Sequence, residues 1–314
     1  MDAFSYAAIR FAMYAALLGL LGACAFTLLV LRRVRGLGLA SDLYAEDASA
    51  RAKRMAVACA AVLLAAVPAR LIAQSLVLFG EPFAIVRAVP ITGWGRAWSL
   101  QMLGVVLAVV ALTRVRGISV LAWRATAAGG IAVALGFSFS GHAAAARIAP
   151  SLAIIVDCTH VLAAGAWAGT LAALALAGIP AALAGPQESR GSDAAAIVNA
   201  FSPLALFAAG VLVATGTFAA WEQLGAFAPL FSTQYGRQLL VKLSAVAVMM
   251  AIGALNWRVL KPRLGTELAA RALRRSAFRE MTVAVFIVLV TAYLVASSPH
   301  GDENADAPTT ALVR

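Results

Sequence analysis

Asp157, Cys158, Thr159 and His160 stand side by side in SLAIIVDCTHVLAAGAWAG, residues 151–169, a stretch otherwise apolar enough to cross a bilayer. A carboxylate, a thiol and an imidazole are metal-binding groups, and each is costly to place in hydrocarbon. Helical phase decides whether they can act together. At about 100° per residue, Asp157 and His160 fall on one face with Ala164, Trp167 and Leu171. The i, i+3 pair can meet, and a carboxylate beside an imidazole orients the ring and raises its basicity as a ligand. Ala164 is small enough to let a second helix or a ligand come close beside His160. Cys158 lies roughly 160° away around the same helix, so it cannot easily bind the same ion from there. It shares a face with Gly165 and Gly169, whose G-x-x-x-G spacing suits close helix packing, and it reads as a small packing residue.

Other residue types could join this chemistry. The chain has three histidines, and the remaining two, His142 and His300, lie just beyond apolar runs. An imidazole there serves equally as a metal ligand or as a plain polar boundary residue. Arg70, in VPARLIAQ, lies inside an apolar run at a depth similar to that of Asp157, so a buried Arg–Asp pair would hold both charges. Pro68 would loosen the helix beside it. Lys242 and Glu222 could pair likewise. Met13 and Met102 add thioethers near one membrane face, and Cys24 and Cys59 add thiols near the other. Thiolate and thioether suit Cu(I), so an outer His/Met site and an inner thiol pair would form a way in and a way out. Both residue types are also ordinary core fillers.

The elements that must position these groups follow from composition. Hydrophobic residues make up 62% of the 314-residue chain and charged residues 12%, about half the charged fraction of a soluble domain. The apolar residues gather in eight runs, about 6–31, 55–80, 97–114, 118–140, 149–178, 196–221, 237–260 and 276–297. A crossing helix needs about 20 residues, so the expected fold is all-α, a polytopic membrane helical bundle of about eight transmembrane helices. Residues 1–140 read as an N-terminal four-helix half, 141–300 as a second membrane half and 301–314 as a disordered tail.

Arg and Lys cluster in the 32–54 and 258–279 connections and are sparse in 81–96 and 141–148. The positive-inside rule places the first two in the cytoplasm and both termini outside. The net charge of +11 is then an orientation signal. No basic stripe with interleaved aromatics suggests nucleic acid; the expected surroundings are membrane lipid. LLGAC, residues 20–24, resembles a lipoprotein cleavage box, but the apolar run continues to Leu31 and meets RRVR, so a retained first helix is expected. The 179–195 connection, with GPQESRGSDAA, reads as a flexible loop. Three dispersed cysteines make no disulfide framework. Walker A, dinucleotide, nucleophile-elbow and H-E-x-x-H patterns are missing, so no enzyme is expected.

An ordered set of segments now stands out: FSGHAAA (139–145), VDCTHVLAAGAWAG (156–169), VATGTFAAW (213–221), GRQLLVKL (236–243), ALNWRVLKPRL (254–264) and RRSAFREMTVAVFIVLVTAYLVASSP (274–299). Together they resemble the CopD/PcoD family of bacterial copper-resistance inner-membrane proteins. The resemblance covers residues 139–299; the first half matches in span count and general character. It implies a multi-pass inner-membrane protein that handles copper, as Cu(I) or Cu(II), moving it towards the cytoplasm. A periplasmic copper-binding protein of the CopC type is the implied partner. By motif, His142 and His160 are the implied metal positions, with Asp157, Trp167, Gly169, Lys242 and Glu280 also matching. No Met- or His-rich segment is evident, so capture would need a separate carrier. Two rival readings share the outer histidines: a b-type haem cytochrome with one bis-His pair, and a non-transporting docking partner for a copper chaperone.

Overall fold

In hydrocarbon the backbone must satisfy its own hydrogen bonds, so apolar runs of this length become helices. Eight do so in the computed structural model, which describes residues 3–117, 119–146 and 149–296, with the side chain of His142 outside the description. They are α1 (Phe4–Gly36), α2 (Asp42–Phe79), α3 (Gly93–Arg114), α4 (Val120–Phe139), α5 (Pro150–Ala184), α6 (Arg190–Leu224), α7 (Gln234–Arg263) and α8 (Glu267–Leu294). Among the described residues there is no strand. The chain is an all-α polytopic bundle, as its composition requires.

Polar side chains set several starts. Ser41, Thr92 and Thr233 accept from the backbone N–H groups of Tyr44, Gly95 and Gly236 at 3.2, 3.0 and 2.9 Å, each satisfying a donor that the first turn leaves free. Gly80 and Gly225, at φ 74° and 65°, end α2 and α6 in the left-handed conformation that glycine adopts most easily.

The helices outrun their apolar stretches. α2 begins at Asp42, α6 at Arg190 and α8 at Glu267, against expected starts near 55, 196 and 276. Outside the hydrocarbon, charged residues continue a helix when they pair along it: Asp47 pairs with Arg51 at 2.8 Å, and Glu267 with Arg271 at 2.5 Å. The supposed flexible loop is corrected in the same way. α5 runs to Ala184, and Arg190, at the start of α6, pairs with Glu267 at 3.0 Å. The connection is reduced to residues 185–189. α2 also continues through Pro68. The carbonyl of Val67, beside that proline, accepts from the Trp98 indole of α3 at 2.9 Å.

α1 is the centre. Of its apolar window, 67% is buried inside the protein, against 11% for α7. It packs on α2, α4, α5 and α8, while α7 rests chiefly on α8. Cys24, the residue of the cleavage-like box, is buried in this central helix. α1 and α5 cross with their backbones touching. A Cβ on Gly22 would stand 1.9 Å from the Gly169 carbonyl carbon, one on Gly169 2.0 Å from the Leu18 carbonyl oxygen, and one on Gly165 2.7 Å from Leu21 Cβ. The expected G-x-x-x-G face is therefore a packing face, and Cys158 is buried on that helix within the main core. α3 and α4 approach similarly: a Cβ on Gly104 or Gly129 would lie 2.6 or 2.5 Å from the other's carbonyl oxygen.

Overpacking of this kind costs about 3 kcal/mol or more when backbone atoms are what must move. Gly22→Val and Gly169→Val are each expected to remove the monodisperse peak of a fluorescently tagged protein in size-exclusion chromatography. Gly210→Ala, where an added Cβ meets nothing within 4 Å, is expected to leave it unchanged.

Candidate functional site

His160 lies ten residues into α5 and reaches across to α6, where its Nδ1 stands 2.9 Å from Thr215 Oγ1. Thr215 has one hydroxyl proton, and it donates that proton to the Val211 carbonyl at 2.6 Å. When that proton is spent on the carbonyl, the threonine oxygen accepts from His160 in its Nδ1–H tautomer. Nε2 is left with its lone pair, the form in which a histidine binds a metal. Gly216 lies beside the ring; a Cβ there would sit 3.5 Å from His160 Cε1.

Two charges accompany the imidazole. Lys242 of α7 is half-buried and within electrostatic reach of both His160 and Asp157. Asp157, one turn away on α5, supplies the compensating charge. This corrects the expected Lys242–Glu222 pair. The cluster thus joins α5, α6 and α7. A cation arriving at Nε2 is repelled by the ammonium and attracted by the carboxylate, so their balance sets its affinity.

The shared face predicted for α5 holds as far as Ala164. Residues Gly165–Gly169 form a π-helical turn, which breaks the 100° count. Trp167 is half-buried within that turn and packs on the core.

Arg70 is only 1% exposed and its partners are not acids. Nη1 donates to Gln101 Oε1 at 3.2 Å and Nη2 to Ser140 Oγ at 3.0 Å. The rings of Trp94 and Phe137 lie 5.4 and 5.7 Å from the guanidinium carbon. The expected Arg70–Asp157 pair gives way to a neutral cage because α3 and α4 present these groups directly to α2. Arg10 of α1 belongs to the same end of the bundle: its Nη2 donates to the Tyr6 hydroxyl, which donates to Gln74, both at 3.0 Å.

The other expected ligands are dispersed. Met13 is fully buried in the core and Met102 is half-buried on α3. Cys24 and Cys59 are free thiols on α1 and α2 within electrostatic reach of each other. The Cys59 sulfur lies 2.6 Å from where a Gly19 Cβ would stand. The backbone of His142 opens a short 3-10 turn, His142–Ala145; its side chain and the whole of His300 lie outside the described residues. Among the described residues no group of three or more His, Cys, Asp or Glu side chains is placed to hold a metal ion.

Sequence reasoning passed over Thr215, and it named Glu280 by motif alone without its partners. Thr215 lies within a quoted segment, but only its contact reveals its role. Glu280, 4% exposed on α8, accepts from Asn256 Nδ2 of α7, and Asn256 Oδ1 accepts from Ser276 at 2.6 Å. A buried acid at the centre of a span was the available signal.

Fold and site define a multi-pass membrane protein that keeps an oriented histidine and several charged side chains within its spans. Comparison with known proteins narrows this class. The N-terminal domain of copper resistance protein D-like proteins matches residues 1–149, and copper resistance protein D matches residues 195–294. A copper transport protein, CutJ of Bacillus subtilis (strain 168), is 29% identical over 221 residues, 69% of this chain. The chain spans 39% of the length of that relative. No solved structure matches. The chain belongs to the copper-resistance protein D family and is a copper-related membrane protein.

Loss of a group that orients a metal-binding histidine weakens metal affinity about 10- to 100-fold. Thr215→Val is expected to lower copper affinity within that range in a chelator competition, and Thr215→Ser to retain it. Equal affinities for the wild type and Thr215→Val would show that copper binding does not depend on a Thr215-oriented imidazole.

Proposed function

We propose that the chain moves copper ions through the bacterial inner membrane, towards the cytoplasm, in copper resistance or homeostasis. The observation that carries this reading is His160: an imidazole inside a membrane span, with Nδ1 engaged by Thr215 Oγ1 at 2.9 Å. A hydrogen-bond partner at one ring nitrogen, leaving the other for the ion, is the arrangement a metal-ligating histidine uses.

The route follows from the placement of donors. Arginine and lysine counts put the starts of α1, α3, α5 and α7 on the periplasmic side. A periplasmic copper-binding protein of the CopC type would deliver the ion to His142 and His300. Asp157 draws it inward past the Lys242 ammonium, and His160 receives it about 15 Å along the helix from its outer end. That distance calls for successive stations rather than one shared site. Met13 and Met102 offer thioether contacts on the way, and the Cys24 and Cys59 thiols, on the cytoplasmic side of this arrangement, would receive Cu(I) last.

The deciding measurement is copper flux into proteoliposomes. His160→Ala is expected to reduce the initial rate by at least tenfold and Lys242→Met to leave copper bound more tightly at equilibrium. No flux from the wild type, with binding of a copper-loaded carrier intact, would make the chain a docking partner instead. A Soret band with stoichiometric haem would make it a cytochrome.

A further inference from the structure

Arg10 and Arg70 are two permanent cations buried at one end of the bundle. Arg70 is 1% exposed and Arg10 9%, and each guanidinium lies in the other's electrostatic field. A lysine in such a place can lose its proton; an arginine cannot. Buried charges are ordinarily paired with opposite charges, yet every hydrogen-bond acceptor these two use is neutral: Tyr6, Gln101 and Ser140. Among the described residues neither takes part in an ion pair. Asp157 exerts its charge on Tyr14 and Lys242. Nε of Arg10 and Nε of Arg70 are both buried and have no hydrogen-bond partner.

Among the described residues, two like charges, each with an unused donor and no acid paired to it, leave the site short of an anion. We propose that Arg10 and Arg70 together bind a small oxyanion, a phosphate or carboxylate group, between α1 and α2 at the end of the bundle where α1 begins. Guanidinium is the side chain whose planar donors match such oxygens. The near-complete burial of Arg70 limits the ligand to a single compact group, either a free ion or the headgroup phosphate of an anionic lipid reaching past Arg10. The bound anion neutralises the positive charge at the end of the bundle where His160 lies, and so lowers the barrier to any cation passing there. The site does not depend on the copper reading, because binding of the anion can be measured with no copper present.

The test uses the full chain purified in a non-ionic detergent, with thermal unfolding followed by tryptophan fluorescence at constant ionic strength. Inorganic phosphate or acetate is expected to raise the Tm saturably, where chloride does not, because a ligand that binds only the folded state stabilises it. Arg10→Gln is expected to weaken the apparent affinity at least tenfold, with Arg10→Lys intermediate. Should the lipid be the source, phosphate will have no effect until phosphatidylglycerol is stripped. Native mass spectrometry will then show one phosphatidylglycerol retained by the wild type and lost from Arg10→Gln, in nanodiscs containing that lipid but not in pure phosphatidylcholine. Arg70→Gln serves as a second variant; if it does not fold, Arg10, the less deeply buried of the two, still decides. A wild type that shows no saturable shift and retains no anionic lipid would overturn the proposal. So would equal shifts in the wild type and Arg10→Gln.

Discussion

Two helices in a bilayer gain little by burying apolar side chains against each other, because lipid is equally apolar; close van der Waals packing must hold them instead. In this protein that packing is tightest where Gly22 of α1 meets Gly169 of α5, with no room for a single added carbon on either. The crossing fixes α5 against the central helix along the Gly165/Gly169 side. Thr170 adds a long hydrogen bond to the Gly22 carbonyl, at 3.5 Å. With that side committed to α1, the polar side carrying His160 turns to α6 and α7. The position of the imidazole is thus a consequence of glycine packing on a different face of its own helix.

The same bundle holds its buried charges in three physically different ways. Asp157 and Lys242 lie in each other's field. Glu280 is surrounded by side-chain amide and hydroxyl groups, Asn256 and Ser276, drawn from α7 and α8. Arg10 and Arg70 have aromatic rings and neutral acceptors alone. Cation–π contact and neutral hydrogen bonds lower the cost of burying a guanidinium but leave its charge in place. Among the described residues, the last arrangement has no acid paired with it.

The helix count and the close packing of GAWAG were legible in the sequence because both rest on local composition and helical phase. The separation of Cys158 from His160 was legible for the same reason. Partnerships across helices were not. Arg70 and Asp157 reach similar depths, but depth along a helix says nothing of which neighbour faces it, and Gln101 and Ser140 hold the guanidinium. Thr215 lies 55 residues from His160, and no periodicity links them. The starts of α2, α6 and α8 were misplaced because hydropathy marks the lipid boundary, whereas salt bridges and caps carry the helix beyond it.

One consequence of His160 bears on transport. A closed set of three or four protein ligands holds a metal ion for its structural value, and such an ion leaves slowly. Conduction needs a site strong enough to receive the ion and weak enough to release it. Within the described residues, His160 presents a single oriented nitrogen, with a carboxylate and an ammonium of opposing influence nearby. Any further ligands must travel with the ion or come from residues such as His142. Under the proposed function, each transfer exchanges one ligand for another, and the ion is never fully enclosed. The Asp157–Lys242 balance, rather than the number of ligands, then determines how long the ion stays.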